Sequence, residues 1–111
     1  MHLKFLLLPL FGTLPVFAAD TPLSYNRDVR PILAENCFAC HGPDQAARKA
    51  KLRLDVREDA LAKKAFVPGK ADDSELVRRL WTNDEDELMP PPTSHKVLTA
   101  GQKQILKDWI A

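Results

Sequence analysis

The sequence predicts a small all-α domain, three to four short helices joined by long loops. Three observations lead there. Apolar residues recur at helical spacing in separated stretches around 25–33, 76–80 and 105–110. No Val/Ile-rich run of strand length interrupts them. The segments between are polar and long, and long loops in so short a chain usually wrap something.

The first stretch is read as a targeting signal and set apart from the fold. Residues 1–18 open with His2 and Lys4, run apolar from Phe5 to Phe17, and end in Val16-Phe17-Ala18-Ala19-Asp20. Small residues at −1 and −3 suit a signal peptidase. A membrane-spanning helix wants about 20 unbroken apolar residues, and this run is shorter and interrupted by Pro9, Gly12 and Pro15. An uncleaved anchor is therefore the weaker reading. No cysteine stands at the cleavage point to carry a lipid. The expectation is an exported, periplasmic protein with no membrane span once residues 1–18 are removed.

Residues 19–24 read as a leader containing Pro22, and residues 25–111 as one domain. Tyr25, Val29, Ile32 and Leu33 define the first helix, with Ser24 as N-cap and Pro31 bending or breaking it. Residues 43–54 are a basic loop in which Leu52 and Leu54 alternate with charges and point inward. A weak helix covers Val56 to Lys63, and Pro68-Gly69 makes a turn. Asp72 or Asp73 caps a helix running to about Trp81. Residues 82–97 form a loop with an acidic block, Asp84 to Glu87, and three prolines, Pro90 to Pro92. Thr99 and Gln102 have capping-box spacing. Ile105, Leu106, Trp109 and Ile110 then form an apolar face, with Trp109 and Ile105 expected to pack on the first helix through Val29 and Leu33.

Composition narrows the function. Of 111 residues, 16 are basic and 15 acidic, a net charge of +1. That is no basis for sequence-blind nucleic-acid binding, which needs clustered excess Lys/Arg. Loss of Lys4 with the signal leaves the charges in balance. About one residue in five of the remainder is Leu, Ile, Val or Phe, lean for an unaided fold. Such a chain would gain from a large apolar body placed inside it.

The motif that carries chemistry is Cys37-Phe38-Ala39-Cys40-His41. It is the C-x-x-C-H pattern of covalent c-type haem attachment. Two thiols on one turn reach the two vinyl groups of one porphyrin edge, and the adjacent imidazole lies beneath the ring. Zinc would need four ligands, and beyond this cluster the mature chain has only His95. A thioredoxin-like dithiol needs strands the pattern lacks. A structural disulfide between cysteines so close would close a strained loop. One covalently attached haem c is the expectation.

Met89 is favoured over His95 for the sixth iron position. It is the only methionine of the mature chain, and the prolines that follow restrict its backbone. A Met/His pair raises the reduction potential and leaves no open site for oxygen or peroxide. Arg53, Lys70, Arg79 and Trp81 are candidates to contact the haem propionates. Arg48, Lys49, Lys51, Arg53 and Arg57 form a basic patch that could steer an acidic redox partner.

From Tyr25 to Ile110 the chain resembles the Planctomycete-type cytochrome c domain, a branch of the class I cytochrome c fold. The matching pieces are Cys37-Phe-Ala-Cys-His41-Gly-Pro-Asp44, Leu52-Arg-Leu-Asp55, Val67-Pro-Gly-Lys70, Ser74 with Leu76 and Arg78-Arg79, Met89-Pro-Pro-Pro92, and Trp109-Ile110. The resemblance implies thioether anchors at Cys37 and Cys40, His41 as proximal ligand and Met89 as distal ligand. It also implies crossed terminal helices with haem in a cleft. Lys51 stands where relatives usually have glycine, and Ala71 where they usually have proline.

The resulting expectation is an exported monohaem cytochrome that passes single electrons to a redox partner protein and is an electron carrier rather than a catalyst. In many relatives this domain opens a much longer protein. The alternative is therefore a redox module or subunit of a larger exported oxidoreductase or carbohydrate-metabolising protein. A haem sensor or peroxidase would require an open sixth site.

Overall fold

The structure is a computed structural model that describes residues 2, 4, 6–13 and 22–111. The expected cleavage point, Val16 to Asp20, lies outside the described residues. Of the apolar run, Leu6, Leu7, Leu8, Leu10 and Phe11 are exposed. Among the described residues no helix is long and apolar enough to cross a membrane, and there is no β-strand.

A π-helical turn, Tyr25–Val29, leads directly into α1, Arg30–Asn36. Pro31 explains the change of pitch. It has no N–H to continue an α-helical ladder, and one residue earlier the Arg30 N–H already reaches five residues back to the Tyr25 carbonyl. The start is capped reciprocally: the Ser24 hydroxyl accepts from the Arg27 N–H, and the Asp28 carboxylate accepts from the Ser24 N–H. Pro31 thus neither ends nor splits the segment; it sets where π gives way to α.

Helix α2, Arg57–Ala62, ends in a Schellman motif, with Lys64 in the left-handed region at φ 57°. The Ala65 N–H reaches the Ala60 carbonyl and the Lys64 N–H that of Leu61. Pro68-Gly69 makes a type II turn, closed by Lys70 N–H to Val67 O at 2.9 Å, with Gly69 at φ 75°. A 3₁₀ turn, Ala71–Asp73, precedes α3, Glu75–Trp81.

The expected Asp72 or Asp73 cap is not formed. Ser74 occupies the N-cap position, and its hydroxyl turns inward, donating to Lys70 O and accepting from Val67 N–H. The Glu75 and Leu76 amides are met instead by the carbonyls of Lys64 and Ala65. Carbonyls brought from the end of α2 leave an aspartate cap nothing to do.

A second 3₁₀ turn, Pro92–Ser94, breaks the loop before α4, Ala100–Ile110. The Thr99/Gln102 capping box is complete, at 2.9 and 3.1 Å. Helix α4 packs on the π-turn and on α3. Val29, Leu33, Leu54, Leu80, Leu106 and Ile110 are buried in one core. Trp109 lies at 5.4 Å from the Tyr25 ring and edge-on to Phe66 at 5.2 Å. It therefore meets the start of the first helical segment through Tyr25.

Candidate functional site

Where α1 ends, the chain makes one further turn. The Cys37 and Phe38 amides both donate to Leu33 O, and the His41 amide donates to Cys37 O at 2.9 Å. This turn places Cys37, Cys40 and His41 on a single cleft that opens to solvent. Leu52, Leu54, Leu76, Leu80 and Leu106 give the cleft a predominantly apolar lining. Met89, 48 residues further along the chain than His41, lines the same cleft.

Both cysteines are free thiols, Cys37 half-buried and Cys40 exposed. Burial is the main cause that pushes the Cys37 thiol up to about 11. His41 is half-buried, and burial lowers its pKa against the opposing pull of backbone carbonyls. Its Nδ1 lies 3.2 Å from Lys49 O. A carbonyl can only accept, so Nδ1 carries the proton and Nε2 keeps its lone pair for a metal.

Gly42 closes the motif for a steric reason. A Cβ there would stand 2.1 Å from the Phe38 carbonyl oxygen. Arg48 then holds the following loop, donating to Gly42 O and Pro43 O.

Met89 is positioned from α3. Its N–H donates to Arg79 O at 3.1 Å. Arg78 pairs with both Glu75 and Glu87, and Arg79 donates to Glu75 and to the Glu87 carbonyl. The acidic block beside Met89 is thus partly a clamp. These arginines hold the Glu75 carboxyl down at about 2, Arg78 being the largest cause.

The other candidates are dispersed. Arg79 lines the cleft. Arg53 is outside its lining and forms a two-point pair with Asp55 at 2.6 and 3.0 Å. Trp81 also lies outside, exposed, with the Lys107 ammonium 5.5 Å from its ring. Lys70 is exposed and not part of the lining, and His95 sits in a left-handed loop conformation with φ 59°. Lys96, which sequence reasoning passed over, does line the cleft and donates to Glu35 O at the end of α1. A lone loop lysine gives no sequence signal.

Chemically, two thiols, an imidazole nitrogen and a thioether converge on one apolar space. That donor set can form thioether links to a bound group and ligate a metal through an imidazole and a thioether. A family model described as Planctomycete cytochrome C matches residues 37–93, just over half of the chain. No curated protein and no solved structure matches it.

Proposed function

The chain belongs to the Planctomycete cytochrome C family, and from that premise we propose that it is an exported monohaem cytochrome c whose work is single-electron transfer. The family implies haem c and haem-based electron transfer. The observation that carries the finer reading is the convergence of Cys37, Cys40, His41 and Met89 on one apolar cleft.

The residues present fit the group. Cys37 and Cys40 are unpaired and free to form thioethers. His41 offers Nε2 because Lys49 O fixes the other nitrogen. Met89 offers sulfur from a loop held by Arg78 and Arg79. Bound haem supplies the Fe(II)/Fe(III) couple. The protein's part would be to ligate it through His41 and Met89 and to exclude water with Leu52, Leu54, Leu76, Leu80 and Leu106. Arg79 is the cleft-lining cation best suited to a propionate among the candidates named from sequence. Two ligands that fill the iron's coordination make a carrier rather than a catalyst on oxygen or peroxide.

The test is an optical spectrum of protein exported in a host with c-type haem maturation. Sharp reduced bands that survive acid–acetone extraction are expected, with a weak far-red sulfur–iron band that Met89→Ala abolishes. Extractable colour would refute covalent attachment. An unchanged Met89→Ala spectrum would remove Met89 from the iron.

A further inference from the structure

We infer that the Arg78–Glu87 ion pair, which lies outside the lining of the cleft, is a positioning device. It holds the Met89 loop so that the sulfur stays on the iron and competing ligands stay off it. The inference rests on the haem reading above and concerns how the sixth position is kept closed.

The sequence after Met89 creates the need. Pro90, Pro91 and Pro92 follow it, and none has an N–H to donate. The nearest hydrogen bonds on that side, from Ser94 to Pro91 O, tie the proline segment to itself. The first downstream tie to a helix is that of Lys96 to Glu35 O. Close control of Met89 must therefore come from the residues before it.

Helix α3 supplies that control. The Met89 N–H donates to Arg79 O at 3.1 Å, and Arg79 Nη1 donates to Glu87 O at 3.4 Å. These two bonds hold backbone alone. Arg78 takes the side chain as well, donating from Nη1 to Glu87 Oε2 at 2.7 Å. Its Nε and Nη2 are held by the two oxygens of Glu75, at 3.0 and 2.6 Å. The guanidinium is thus oriented before it reaches Glu87, and less side-chain freedom is lost in forming the second pair. Because Glu75 opens α3, the Met89 loop is anchored to a helix rather than to another loop.

The loop carries four carboxylates, and α3 takes one. Asp84, Glu85 and Asp86 are exposed, and among the described residues none of them forms an ion pair. Asp84 accepts from the Asp86 amide within the loop. Glu87, two residues before Met89, is the one that crosses to Arg78.

The pair is exposed, 45% and 40%, and contributes little to the stability of the whole fold. Release of Met89 requires only local opening of its loop, so a small energy is felt there directly. A competing ligand enters only the open form, and its apparent affinity rises with the fraction open.

The experiment measures imidazole binding to the ferric haem protein, at a pH where imidazole is neutral. The far-red sulfur–iron band of the unsubstituted protein is recorded first. Glu87→Gln and Arg78→Gln should each raise imidazole affinity, by up to about fivefold. Glu87→Gln should add nothing once Arg78→Gln is in place, because the two act as one pair. Rising salt, which screens exposed charges, should raise the affinity of the unsubstituted protein toward that of Glu87→Gln. Arg27→Gln breaks a comparable two-point pair with Asp28 far from the loop and should leave the affinity unchanged. Hydrogen exchange at the Met89 amide should quicken in Glu87→Gln by the same factor as the affinity.

A missing far-red band in the unsubstituted protein would overturn the Met89 ligation and this inference together. With the band present, unchanged imidazole affinity in Glu87→Gln would overturn the inference alone. Additive effects of the two substitutions, or an equal effect of Arg27→Gln, would do the same.

Discussion

Cys37, Cys40 and His41 form a pattern that can be read locally, because one turn of chain carries all three to the same cleft. Gly42 shows what such a motif conceals. Nothing in the pattern says why glycine follows histidine, whereas the fold brings the Phe38 carbonyl to 2.1 Å from where a Cβ would stand. Gly42→Ala must displace backbone, and a loss of about 1–3 kcal/mol is expected, read as a lower urea midpoint together with less covalently attached haem. An unchanged midpoint would show that the turn opens without cost. Lys96 and Arg53 are the complementary pair. A lysine without a motif reaches the cleft, while an arginine inside a matching block is held away from it by Asp55.

Elements whose signals are self-contained were readable to within a residue or two. The span expected for α2, Val56 to Lys63, differs from the observed Arg57–Ala62 by its two capping residues, and the α4 capping box is present as spaced. The start of α3 was misread because its first amides are satisfied by Lys64 and Ala65, carbonyls delivered by the end of another helix. That same helix end carries a testable strain. Lys64 holds the left-handed position of a Schellman motif, where glycine has no Cβ penalty. Lys64→Gly is expected to stabilise the folded chain by about 0.5–1 kcal/mol, measured by urea unfolding. A destabilised variant would show that the lysine side chain contributes more than its backbone costs.

For the molecule as a whole, the network joining α3 to the Met89 loop gives a pH dependence with a definite sign. The folded Glu75 carboxyl lies near 2 against an ordinary 4.5, so the fold favours its ionised form. Its contribution is complete above about pH 4.5 and is lost as pH falls toward 2. The side chain is 42% exposed, which limits the effect to under about 1 kcal/mol. Glu75→Gln should lower stability at pH 7 and narrow the gap between midpoints at pH 7 and pH 3. An acid sensitivity equal to that of the unsubstituted chain would show that the Glu75 pairs contribute nothing.

From sequence alone came the helical class, the attachment motif and the choice of Met89 as a candidate ligand, all of which rest on spacing along a few neighbouring residues. Only the tertiary structure decided which distant side chains share the cleft. Met89 and Lys96 reach it, while Arg53, Trp81 and Lys70 remain outside its lining. The reason is physical: helical periodicity and turn chemistry act over one or two turns. The meeting of residues 48 and more apart is set by how α1, α3 and α4 bury their apolar faces on one another, and by which charges find nearer partners first.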